Sequence, residues 1–358
     1  VFKPMTLDPS VAIVAEIAPK LNFACHQSAF RLLRDLRIDN LSPETRLEDV
    51  TVTLRADPPF LKPKSWRLDR IAPEGRIAVS DRDIALDGGM LLDLADAMRG
   101  TVVIEVTAPG PEGITTLGTA SQTVELLAYN EWGGTGSMPE LLAAFALPND
   151  PAVDRILREA SLVLRRAGKA DGIDGYQSGR RQRVWEIASA IYTAIANLGL
   201  TYAVPPASFE RNGQKIRLPG QMLDTRVGTC LDTTMLFAAA LEQAGLNPLI
   251  ALPEGHAFVG VWLQPEGLAS IVVDDAETLR KRVQLNELLL IETTAVTAHP
   301  PRPFSQATES AHRQIKDPER DGTFDAAVDI RRARAHRINP LSLKAAGNTA
   351  AGLAAGLA

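Results

Sequence analysis

The chain has 358 residues, 45% hydrophobic and 23% charged, which excludes a disordered or fibrous chain and suits two globular domains. Its formal net charge of −5 excludes the overall basic character of a nucleic-acid-binding domain. Two cysteines cannot build a disulfide framework, and no run of about 18 apolar residues is present to span a membrane, so the chain reads as cytoplasmic with reduced thiols.

Residues 1–130 read as a β-sandwich of immunoglobulin-like type. "EDVTVTLRA" (48–56) alternates apolar and polar residues, as a half-buried strand does. "PKSWRLDRIAP" (63–73), "TVVIEVTAPG" (101–110) and "SQTVELLAYN" (121–130) give three more strands, separated by Pro and Gly. A helical insert is expected at "GGMLLDLADAMRG" (88–100), apolar at 90, 91, 94 and 98. Cys25 and His26 are adjacent; on a strand they would point to opposite faces and could not act as a pair.

The pattern changes near residue 130, and residues 131–341 read as a second, α+β domain. Pro139 opens a helix over "ELLAAFAL", and Pro151 opens a periodic one over 151–168. A polar, Gly-rich connection (169–181) leads to a third helix at 182–200. Trp132 and Trp185 read as packing residues. Two basic clusters, "GRRQR" (179–183) and "RRARAHR" (331–337), read first as solvated helix faces, with a phosphate track as the rival reading. The sequence starts at Val1 and closes on an Ala/Gly-rich, low-complexity tail (342–358), which suggests a piece of a longer protein.

The most informative stretch is "RVGTCLDTTMLFAAALEQAGLNPLIALPEGHAFVGVWL" (226–263). Thr229 and Asp232 stand three apart before an apolar run, the spacing of a capping box, so a helix is expected from 230 to 244 with Gly245 ending it. Strands follow at 247–253, 256–263 and 287–294. Cys230 thus falls in a first helical turn, where unpaired N–H groups and the helix dipole favour a thiolate. A histidine against it would supply the ion pair of a cysteine hydrolase, and a carboxylate would orient the imidazole. His256 is the candidate base. Glu292 is the favoured acid, with Asp274 and Asp275 as rivals.

These residues carry a resemblance. "RVGTCLDTTMLFAAALEQAGLNP" resembles the core helix of the transglutaminase-like superfamily, "GHAFVGVWL" its histidine strand and "LLLIETT" its third motif, with Glu where the family has Asp and Thr293 where it has Pro. The resemblance implies a papain-like helix-plus-antiparallel-sheet domain with Cys230 as nucleophile, His256 as base and Glu292 as orienting acid. It also implies an oxyanion donor from the lead-in 202–223, for which Gln214 and Gln221 are the candidates beside the Cys230 backbone N–H. The order of "YNEWGG", "LLAAFALPN", "GTCLD", "GHAFVGVWL" and "FDAAVDIRRARAHRINPL" resembles the N-terminal region of large bacterial proteins that continue into a superfamily-one helicase, often with a nuclease, and are linked to defence. No Walker-type run occurs in the chain, so such a helicase would lie beyond Ala358.

The leading expectation is a cysteine protease or amidase acting on a peptide or carboxamide carbonyl, with acyl transfer as a variant. The rival is a catalytically silent, partner-binding module of a helicase or nuclease protein. No cofactor and no metal are expected, because neither His-Glu-x-x-His nor Cys-x-x-Cys occurs and His299 and His312 lack ligand spacing. Nucleic-acid contact within the chain and membrane contact are not expected either.

Overall fold

Alternation builds the first sheet. Val102, Ile104 and Val106 are fully buried, while the residues between them are partly exposed. Val50, Val52 and Leu54 follow the same pattern, and the register Val52↔Val106 and Leu54↔Ile104 sets the two apolar rows side by side. The structure is a computed structural model that describes residues 10–28, 30–317 and 322–342. It is α+β and divides into two compact units, the first ending at Glu131 and the second starting at Trp132.

In the first unit the strands are β1 (Val11–Ile17), β2 (Lys20–Leu21), β3 (Leu33–Asn40), β4 (Leu47–Asp57), β5 (Lys64–Ile71), β6 (Arg76–Ala78), β7 (Met98–Gly110) and β8 (Gly113–Leu126). They form a three-stranded sheet, β1-β3-β6, and a five-stranded sheet, β2-β8-β7-β4-β5. All pairs are antiparallel except β2 with β8. Strands β1, β2, β3 and β6 lie outside the expected set, although "VAIVAEI" is rich in β-branched residues.

The expected helix over 88–100 stops early. It covers only Gly88–Asp93, where Asp87 caps it by accepting from the Met90 N–H. Met98, Arg99 and Gly100 instead pair with Leu126, Glu125 and Val124. Leu91 is the buried residue of this short helix, so little apolar area opposed the ladder bonds gained by the strand. Cys25 and His26 lie on the short helix Phe23–Gln27 rather than a strand. They still diverge: Cys25 is fully buried and His26 is exposed.

In the second unit, the helix expected after Pro139 is a 3₁₀ helix, Pro139–Phe145. The Ala146 N–H bonds three residues back to the Ala143 carbonyl, and five of its seven residues are buried. Two helices follow, α1 (Pro151–Arg166) and α2 (Arg181–Ala196). Asp150 caps α1 and Pro151 takes its first position. Its Val153, Ile156, Ala160 and Leu164 form one buried stripe.

The centre of the unit is α3 (Cys230–Gln243), in which every residue from Cys230 to Leu241 is buried. It lies against α1, α2 and a five-stranded antiparallel sheet. That sheet contains β9 (Pro248–Pro253), β10 (Phe258–Trp262), β11 (Val272–Val273), β12 (Leu288–Ile291) and β13 (Phe324–Asp329), in the order β11-β13-β9-β10-β12. Helices α4 (Ala276–Gln284) and α5 (Phe304–Lys316) lie beside β12. A short last helix, α6 (Ile330–Ala335), follows β13.

The basic clusters are not simply solvated. The Arg183 side chain is 3% exposed and pairs with Asp174 at 2.8 Å and Glu186 at 3.5 Å. Arg334 grips both oxygens of Glu242, at 2.8 and 2.9 Å, and donates to the carbonyls of Ala143, Ala146 and Ile338. Arg332 donates to the Leu268 carbonyl at 3.0 Å. A guanidinium presents several donors in a fixed fork, which suits this use as an internal clamp. Trp132 is buried and donates to the Met138 carbonyl, while Trp185 is 39% exposed with its ring edge-on to Phe304. The tail from 343 on lies outside the described residues. Among the described residues no helix is long and apolar enough to cross a membrane.

Candidate active site

The N-terminus of α3 is held by Thr229 and Asp232. Thr229 Oγ1 accepts from the Asp232 N–H at 3.2 Å, and Asp232 Oδ2 accepts from the Thr229 N–H at 2.9 Å. Asp232 is fully buried and also accepts from the Arg217 N–H and guanidinium, both at 2.8 Å. The chain enters through Val227–Gly228, which pairs in parallel with Thr201–Tyr202. A Cβ on Gly228 would stand 2.8 Å from Met222 Cε and would have to displace the end of that flexible side chain. The pairing sets Tyr202 opposite Gly228, two residues before Cys230.

Gly255, at φ +67°, turns the chain before β10 and places His256 at the strand's mouth. The register Val259↔Ile291 between β10 and β12 brings the segment after Ile291 alongside His256. Glu292 Oε2 stands 2.8 Å from His256 Nε2. The same oxygen accepts from Gln314 Nε2 of α5 at 2.5 Å. Glu292 Oε1 accepts from the Thr294 N–H at 3.0 Å and the Thr294 hydroxyl at 2.7 Å. Thr293 ties this segment to α3, its hydroxyl lying 3.0 Å from those of Thr233 and Thr234.

His256 also hydrogen-bonds Cys230, which leaves Nδ1 for the sulfur because Nε2 faces Glu292. Burial opposes a charge on the ring. The hydrogen bonds to Cys230 and Glu292 and the attraction of both outweigh it, so the His256 pKa is pushed up to about 10. Burial likewise opposes ionisation of Glu292, but His256 and the two bonds from Thr294 hold its carboxyl below the usual value. The Tyr202 hydroxyl bonds Cys230 as well; burial first, then Cys230 and Glu292, push its pKa up to about 12. Cys230 is fully buried and Tyr202 is 40% exposed.

The other sequence candidates lie as follows. Gln214 is buried and donates to Thr229 Oγ1 at 3.0 Å, so its amide braces the cap. Gln221 is exposed, and its carbonyl accepts from the Leu218 N–H at the start of its own helix. Asp275 caps α4, accepting from the Glu277 N–H and the Thr278 hydroxyl, both at 2.8 Å. Asp274 is exposed beside it. The carboxylate at the imidazole is Glu292, not either aspartate. Tyr202 and Gln314 escaped sequence reading: one is placed by a two-residue parallel bridge and the other by packing of a helix on β12. Among the described residues no group of three His, Cys, Asp or Glu side chains could hold a metal ion.

A cleft of about 400 Å³ opens onto Tyr202, His256 and Glu292. Its remaining walls include Thr294, Arg302 and Ser310. Backbone N–H groups at the start of α3, that of Cys230 among them, have no earlier helical turn to bond to and point to this end.

No family model and no curated protein matches the chain. Among solved structures, that of a "putative protease" from Parabacteroides distasonis shares 13% identity over 63% of this chain, with a TM-score of 0.20. This chain spans about 60% of that protein's length. A likeness this low carries no weight for fold or activity.

Proposed function

We propose that this chain is a cysteine hydrolase of the transglutaminase-like type, its first unit a β-sandwich and its second the catalytic domain. The observation that supports it most is the double engagement of one imidazole, by Glu292 at 2.8 Å and by Cys230 on the other side. In this reading the Cys230 thiolate attacks a peptide or carboxamide carbonyl, and the carbonyl π electrons move to oxygen. The Cys230 N–H and the Tyr202 hydroxyl, once displaced from the sulfur, hold that oxyanion. Collapse re-forms the carbonyl and breaks the C–N bond, while His256 passes its Nδ1 proton to the leaving amine. Water, deprotonated by His256, then attacks the thioester and releases acid and thiol. Glu292 holds the ring's tautomer when it is neutral and stabilises its charge when it is protonated.

The substrate in this reading is a peptide or protein in the cytoplasm. A downstream helicase or nuclease region, and a role in bacterial defence, rest on the sequence resemblance alone.

The test is alkylation of Cys230 by iodoacetamide across pH, with buried Cys25 as internal control. The reagent attacks thiolate. The raised His256 pKa keeps the imidazolium present through neutrality, ready to pair with a thiolate. Labelling of Cys230 below pH 7 is expected to be fast and to be lost in His256→Ala. An unchanged rate in His256→Ala would sink the proposal.

The same sign reasoning applies to stability. The His256 contribution is full below its unfolded pKa near 6.5 and disappears as pH rises through about 10. The Glu292 contribution is full above its unfolded value near 4.5 and disappears as pH falls through its lowered folded value.

One observation favours the rival, a silent binding module: the thiol is fully buried, with Tyr202 beside it. The two readings separate on Tyr202→Ala. If the phenol is a movable cover, the variant alkylates roughly tenfold faster or more, because access as well as thiolate character limits the reaction. An unchanged, slow rate would favour the silent module.

A further inference from the structure

The cleft that opens onto Tyr202, His256 and Glu292 has an unusual charge balance. Glu292 is engaged by His256, Gln314 and Thr294, so its charge is already answered. Thr294, Thr297 and Ser310 are neutral, and Ala295 and Ala298 are small. Arg302 is the remaining charged group of the wall. Its backbone is anchored, the N–H donating to the Ala295 carbonyl at 3.1 Å and the carbonyl accepting from the Tyr192 hydroxyl at 2.7 Å. Its guanidinium has no hydrogen bond and no ion pair among the described residues. Arg183, Arg217 and Arg334 of the same unit are tied to carboxylates instead.

A fixed backbone with a free fork of donors, in a cleft with small walls, is a receptor for a planar anion. We propose that Arg302 selects substrates carrying a carboxylate close to the scissile bond, from an acidic side chain or from a chain's own C-terminus. This deepens the cysteine-hydrolase reading and rests on it. The Ser310 hydroxyl can share the carboxylate with Arg302, and the small side chains leave room for it.

The test uses three alkylating probes on the full chain: iodoacetyl-glutamate with its α-carboxyl amidated, the matching iodoacetyl-glutamine amide, and iodoacetyl-glutamine with a free carboxylate. The pairs are close in size and differ by one charge. The rate at Cys230 for each acidic probe is read as a ratio to the glutamine amide. A ratio of roughly fivefold is expected in low salt, shrinking toward one as salt is added. Arg302→Gln should bring the ratio to one, Arg302→Glu should invert it, and Arg302→Lys should retain most of it. A preference for the side-chain acid indicates an internal Asp or Glu; a preference for the free α-carboxylate indicates a chain terminus.

A ratio of one in the unaltered protein, or a ratio unmoved by Arg302→Gln, overturns the inference. So does a thiol that no probe reaches. Failure of the parent reading shows elsewhere, as iodoacetamide labelling indifferent to His256, while the charge ratio still reports on Arg302.

Discussion

Replacing Cys230 with alanine is expected to lower acyl-hydrolase turnover by a factor of about 10⁴ to 10⁶, the loss found when a unit nucleophile is removed. Cys230 is the only atom source for the thioester in the proposed cycle, and neither Tyr202 nor His256 can substitute for it. The fold should survive. Sγ is buried, and the cap that orders this end of α3 belongs to Thr229 and Asp232. Far-ultraviolet circular dichroism and the melting temperature of the variant therefore serve as controls. Turnover is read on a pool of peptides by mass spectrometry, comparing cleavage by the protein and its variant. Cleavage that persists in Cys230→Ala would remove the thiol from the mechanism. Cys230→Ser should retain little, because a hydroxyl is a poorer nucleophile beside an imidazolium that already holds its proton.

The second large effect is on stability. Asp232→Ala is expected to destabilise the second unit by about 3–5 kcal/mol, from three losses acting together. The carboxylate accepts from the Thr229 N–H, the Arg217 N–H and the Arg217 guanidinium. Removing it leaves buried or half-buried donors without a partner, each costing about 1–3 kcal/mol. The ion pair itself adds less, since the Arg217 side chain is 40% exposed and screened by water. For a unit of this size the change corresponds to a fall of roughly 10 °C in melting temperature. Asp232→Asn keeps an acceptor for one N–H and should lose about half as much. A melting temperature within about 2 °C of the parent in Asp232→Ala would show that the box is redundant. The variant should also slow alkylation of Cys230, because the frayed helix end no longer presents the thiol to His256.

The sequence by itself determined the local architecture around the site. Thr229 and Asp232, three apart before an apolar run, specify where α3 begins, because a capping box satisfies its own orphan N–H groups without help from elsewhere. Gly245, at φ +77°, specifies where it stops. The same locality made β4, β5 and β7 legible, since alternation is a property of neighbouring residues. Residues 88–100 were misread because six residues of helix compete there with ladder partners about 26 positions away, and the ladder won.

What only the tertiary structure decided is which groups meet. That Glu292 and not Asp274 or Asp275 faces His256 depends on the β10–β12 register, in which a one-residue slip would turn the carboxylate to the other face. Asp275 lies nearer His256 along the chain, yet it is drawn to the N-terminus of α4. Tyr202 reaches the thiol through a two-residue parallel pairing, Gln314 reaches Glu292 from a helix, and Arg302 is left unpaired in the cleft wall. Each of these depends on contacts between residues distant in sequence. Periodicity and spacing report the preferences of a segment; pairing across the fold is set by the packing of whole elements against one core.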